Sequence, residues 1–195
     1  MKKLLLGILC IAVTLGGCGK LSSSAGETAD VAQGEAAAEA YGQVLALYRR
    51  ALEEKWTGQQ LVDGELSLLL RDIPPETVGY TVTDLDGDGT QELIVGTLSG
   101  DAFYGKLIIG LYTLDARGQP VEVFGSMERD RFYYAGGAAF ARVGSSGAGD
   151  SFDITVNLEG KTLAERNGVT APEAYVQLPL TPIVGCGCTE ECGIL

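Results

Sequence analysis

The sequence predicts an α+β domain in which one N-terminal amphipathic helix, or two, packs on an antiparallel β-meander. Three observations predict it. Over 35–56 apolar residues return every three or four positions, beyond Pro75 short apolar runs alternate with turn signals, and the composition leaves room for one core. A chain of 195 residues, less a leader and a spacer, keeps roughly 150, which is one domain of ordinary size. Hydrophobic residues at 46% and charged residues at 21% belong to a chain that buries a core rather than to a disordered one.

The first element is a leader. Lys2 and Lys3 precede an apolar run from Leu4 to Leu15, about twelve residues where a bilayer span needs about twenty. The run closes on Leu15-Gly16-Gly17-Cys18, which resembles the bacterial lipobox. That resemblance implies a signal peptide over 1–17, acylation of the Cys18 sulfur, and an extracytoplasmic protein held on the cell membrane by its lipid. Cys10 lies inside the leader and leaves with it. The other reading is a plain signal peptide or short anchor with an incidental Cys18. Residues 18–34 are rich in Ser, Gly and Ala without apolar periodicity, which is the composition of a flexible tether.

The folded part is expected over 35–178. In its first segment Tyr41, Val44, Leu45, Tyr48, Leu52 and Trp56 share one helical face, and Glu39, Arg49, Arg50 and Glu53 take the other. Gly58 is the expected stop. Tyr41, Tyr48 and Trp56 read as core rather than as a ligand-stacking stripe. A second, shorter helix is expected over 65–71, closed by Pro74-Pro75. Strands are expected over 79–83, 92–98, 106–114, 121–125, 131–134, 138–143, 152–158 and 162–165. Tight turns at Asp115-Ala116-Arg117-Gly118, Gly136-Gly137 and Glu159-Gly160 make the neighbours antiparallel.

Charge and composition exclude several functions. The formal net charge is −12, and losing the two leader lysines takes it to −14. A nucleic-acid surface needs clustered Lys and Arg, so nucleic acid is not an expected partner. The chain has no histidine. Histidine-dependent triads and histidine-ligated metal centres are therefore excluded. Gly144-Ser145-Ser146-Gly147-Ala148-Gly149-Asp150 lacks the Gly-Lys-Ser/Thr ending of a phosphate-binding loop and reads as a hairpin connection.

One segment has spacing that carries chemistry: Asp84-Leu85-Asp86-Gly87-Asp88-Gly89-Thr90-Gln91-Glu92. Acids at positions one, three, five and nine, with Gly at six, place oxygens around a hard cation, and Thr90 adds a backbone carbonyl. The metal ligands are thus Asp84, Asp86, Asp88, Thr90 and Glu92, and calcium suits them better than magnesium because it accepts a flexible oxygen shell. Position twelve is Val95, not the bidentate Glu of an EF-hand, and Leu93-Ile94-Val95 reads as a strand. The other reading is an Asp-Gly hairpin turn that never binds metal.

The loop and its flanks resemble the Asp-x-Asp-x-Asp-Gly-x-x-Asp calcium loops of FG-GAP and VCBS-type repeats, with Glu92 in place of the last Asp. The run from Gly79-Tyr80 to Glu92-Leu93-Ile94-Val95-Gly96 also resembles a group of uncharacterised lipoproteins of Gram-positive gut bacteria. The resemblance implies calcium at the loop. It does not imply a propeller, since one copy cannot close a ring of blades.

Residues 179–195 form an expected irregular tail carrying Cys186, Cys188 and Cys192. One disulfide with a thiol left over, metal capture helped by Glu190 or Glu191, and intermolecular or redox pairing all remain open. The expected function is a membrane-tethered, calcium-binding lipoprotein without catalysis, binding or scaffolding a protein or glycan of unknown identity. The alternatives are a cell-envelope hydrolase using a carboxylate pair such as Asp84 with Asp101, and a purely structural lipoprotein. A deep pocket with convergent carboxylates away from the loop is the feature that would favour the hydrolase.

Overall fold

The computed structural model describes residues 39–98, 105–145, 147, 150–166 and 168–185. The leader, the tether, Cys18, Asp101 and the three tail cysteines lie outside them. Among the described residues no helix is long and apolar enough to cross a membrane.

The α+β expectation is corrected: the domain is predominantly antiparallel β. Nine strands form one sheet: β1 Val78–Thr83, β2 Glu92–Thr97, β3 Leu107–Leu114, β4 Pro120–Gly125, β5 Asp130–Gly136, β6 Ala139–Ser145, β7 Ser151–Glu159, β8 Thr162–Arg166 and β9 Thr181–Pro182. Against them, among the described residues, stands one substantial helix, α1, Gly42–Glu53, of 12 residues. A second, α2, Gln59–Asp63, has five.

The helices fall short of their periodic pattern because each closes early. After α1, Lys55 adopts a left-handed backbone with φ 52°. Its N–H reaches the Leu52 carbonyl and that of Trp56 reaches Ala51, the paired bonds of a Schellman stop. The chain therefore turns three residues before Gly58. α2 ends in the same way, with Glu65 at φ 54° and the Glu65 and Leu66 N–H groups returning to Val62 and Leu61. The helix expected over 65–71 is replaced by a 3-10 turn, Leu68–Asp72, capped by the Ser67 hydroxyl, which accepts from Leu69 N–H. Tyr41 and Tyr48 are core, as the helical spacing predicts, and Trp56 packs against it.

The strand order is β8-β7-β6-β5-β3-β2-β1-β9, with β4 also on β3. The far half of β3 pairs β4 and its near half pairs β5, so both occupy one edge. β2 is buried throughout, which is why it reads as a continuous apolar run rather than an alternating one. Leu93 and Val95 face α1, and Ile94 faces the other side. On β3 the register slips between Val95 and Gly96 of the partner strand. Ile109 is the extra residue, and this bulge keeps both Ile109 and Gly110 on the helical side. Gly110 is required there: a Cβ would sit 2.8 Å from the Tyr48 hydroxyl oxygen.

Two cores result. The helical one joins Tyr41, Tyr48, Leu52, Leu61 and Leu69 to Leu93, Val95, Leu107 and Ile109. The second lies on the opposite face, and among the described residues no helix contributes to it. There Ile94 of β2 meets Phe132 of β5, Phe140 of β6 and Val156 of β7. Strands so far apart in the order share a core only if the sheet curls over itself. The start of the expected tail is built into this fold: β9 pairs β1, and Ile183 is buried in the helical core.

Candidate metal centre

β1 and β2 are an antiparallel pair with Thr83 opposite Glu92, so residues 84–91 form the connecting loop. Its conformation comes from alternation. Leu85 is buried in the second core, which turns Asp84 and Asp86 outward on either side. Gly87 and Gly89 take left-handed backbone, φ 77° and 89°, at no Cβ cost. The loop can then wind tightly enough to bring the three aspartates together.

One oxygen from each of Asp84, Asp86 and Asp88 lies within 4.8 Å of the others, a group that could hold a metal ion. Backbone N–H groups orient every one. Asp84 accepts from Gly87 at 2.8 Å and Gly89 at 3.0 Å. Asp86 accepts from Asp88 at 3.2 Å, and Asp88 accepts from Thr90 at 2.7 Å. The second Asp86 oxygen accepts from Gly160 N–H at 2.7 Å, across 74 residues of chain. These five donors offset part of the repulsion among three carboxylates and fix their geometry before any cation arrives. Asp84 and Asp88 are exposed and Asp86 is half-buried, so a cation has access from solvent.

Glu92 stands apart from that group. It is 1% exposed, with one oxygen accepting from Leu85 N–H at 2.9 Å and the other from the Thr113 hydroxyl at 3.3 Å. Burial, and then the charges of Asp86 and Asp88, push its carboxyl up to about 7 against the bonds from Leu85 and Thr113. Glu92 thus splints the loop onto β3. Thr90 is half-buried, and its N–H is committed to Asp88.

Three residues outside the sequence pattern complete the centre. Tyr41, fully buried ahead of α1, donates to the Gln91 carbonyl at 2.7 Å and pins the loop exit. Thr113 holds Glu92, and Gly160 holds Asp86. The Glu159-Gly160 turn signal is visible in the sequence, but its meeting with residue 86 depends on the curl of the sheet. The Asp84–Asp101 pair cannot be placed, since Asp101 lies outside the described residues. Comparisons with protein-family models, with curated proteins and with solved structures find no match for this chain.

Proposed function

We propose that the chain is a lipid-anchored, extracytoplasmic calcium-binding domain that binds or scaffolds a partner without catalysis. The observation that carries the calcium reading is the convergence of Asp84, Asp86 and Asp88 within 4.8 Å on a preformed loop. Hard oxygens on a flexible loop suit calcium, which tolerates irregular shells of six to eight ligands completed by carbonyls and water. The Thr90 carbonyl would be a further ligand, with Glu92 supporting the loop from behind. Radioactive-calcium equilibrium dialysis on the full chain tests it, with binding of one ion as the expected result.

The anchor rests on the lipobox-like run ending at Cys18. More than one acyl chain is needed for stable attachment, since each buried methylene contributes about 0.8 kcal/mol. A Cys18→Ser chain should incorporate no radiolabelled palmitate and should leave the membrane fraction. Incorporation at the wild-type level contradicts the lipoprotein reading.

A second reading, hydrolysis by a carboxylate pair, has one observation in its favour. Glu65 and Glu122 border a common groove built from elements other than the loop. Release of product from glycoside or ester substrates, lost in Glu122→Gln, would establish it.

A further inference from the structure

Between α2 and the β4–β5 connection lies a groove of about 690 Å³, within the size range of small-molecule sites. Its sides are apolar. Val62 and Met127, 51% and 65% exposed, flank it from opposite elements, and Leu66 and Leu68 continue the lining. Large apolar side chains left open on both walls of a concavity mark a place for an apolar body.

The charges in the groove are not balanced. Glu128 is paired with Arg71, and Arg129, which also lines the groove, donates to the neutral Ser145 hydroxyl at 3.2 and 3.1 Å and keeps its positive charge. Glu65 and Glu122 have no ion-pair partner among the described residues. Glu122 is exposed and its carboxylate lies over Gly125, a residue that lines the groove: its Oε1 is 2.7 Å from where a Cβ on Gly125 would be. Partial desolvation, and then the like charge of Glu65, raise its carboxyl above the ordinary value. The buried Tyr48 and Tyr112 hydroxyls, 3.0 Å apart, feel the same charge. A cation placed here would offset the repulsion between Glu65 and Glu122.

We propose that this groove binds a small amphipathic organic cation, its ammonium head beside Glu65 and Glu122 and its apolar tail along Val62, Leu66, Leu68 and Met127. Three carboxylates, Glu65, Glu122 and Glu128, set against Arg129 and the Arg71 partner of Glu128 leave a single negative charge over, which favours a monocation over a divalent metal, and among the described residues the only three acids close enough to share an ion lie in the loop.

The left-handed backbone of Glu65 supplies a clean variant, because Gly adopts φ 54° without strain. Glu65→Gly removes the carboxylate while favouring the fold. Glu122→Gln keeps shape and removes charge.

The experiment titrates the full chain with phenethylammonium, its neutral N-acetyl derivative and 3-phenylpropionate, following the methyl signals of Val62, Leu66, Leu68 and Met127 by NMR. The ammonium should bind saturably and about tenfold more tightly than either counterpart, as two partly exposed ion pairs allow. The Glu65→Gly/Glu122→Gln chain, with an undiminished melting temperature, should lose that preference. Both results should be the same in EDTA and in calcium, which separates this site from the loop. Absence of saturable binding, equal affinity for the three probes, an unchanged preference in the double variant, or tighter binding of a capped Lys-Leu dipeptide than of the free amine would each overturn it.

Discussion

The Gly160 N–H donates to the Asp86 carboxylate at 2.7 Å, joining the tip of the β7–β8 hairpin to the β1–β2 loop. These turns belong to strands four to six places apart in the order of the sheet. The same bond both orients a carboxylate of the candidate metal centre and ties the two ends of the curled sheet together.

Asp86→Ala should therefore loosen the hairpin as well as the loop. A charge-assisted bond of this kind contributes about 1–2 kcal/mol when half-buried. Hydrogen exchange should speed up at the Gly160 amide, and the domain should lose stability by that amount in EDTA. Asp86→Asn retains an acceptor and should show a much smaller change. Equal exchange rates at Gly160 in wild type and Asp86→Ala would remove the bond from the account.

Lys55 sits at the left-handed stop of α1. A non-glycine residue there is strained by about 1–2 kcal/mol, of which the greater chain freedom of glycine returns part. Lys55→Gly should raise stability by about 0.5–1 kcal/mol in urea unfolding. Lower stability would show that the Lys55 side chain contributes more than its backbone costs.

Much of the architecture was legible because strands with one buried face or two leave distinct signatures. All eight expected strands form, within two residues of their expected ends. The helices are shorter than the sequence predicts because periodicity reports which residues face the core and not where the chain stops. Tyr41 and Trp56 both pack on the core, yet both lie outside the helix between them. β9 is not legible in the sequence because two residues, one of them proline, carry no alternation. Within the metal centre, Asp84, Asp86 and Asp88 were legible from spacing alone. The separate role of Glu92 was not, since it depends on Thr113 and on the burial of Leu85.

Glu92 makes stability depend on pH in a definite direction. Its carboxyl is raised from 4.5 to about 7 in the native state. Between those values the native state keeps a proton that the unfolded chain releases, so this contribution is intact at low pH and is lost as pH rises through 7. Glu92→Gln keeps an acceptor for Leu85 N–H and can donate to the Thr113 hydroxyl. In EDTA the variant should be more stable than wild type at pH 8 by on the order of 2–3 kcal/mol, with little difference near pH 4. Urea midpoints across that range measure it. A difference independent of pH, or a less stable variant at pH 8, would contradict the assignment.

Calcium is proposed to bind at Asp84, Asp86 and Asp88, and thermal melts of the full chain with and without calcium show whether it does. Lacking the position-twelve acid, the site should bind with a Kd on the order of 10⁻⁴ to 10⁻³ M, as extracellular modules do. Calcium at about ten times Kd should then stabilise the domain by roughly 1.4 kcal/mol and raise the melting temperature. Asp86→Asn/Asp88→Asn deletes two charges while nearly preserving shape, and should abolish most of that gain. A wild-type melt unmoved by calcium, or an equal rise in the double variant, would return the loop to an ordinary Asp-Gly turn.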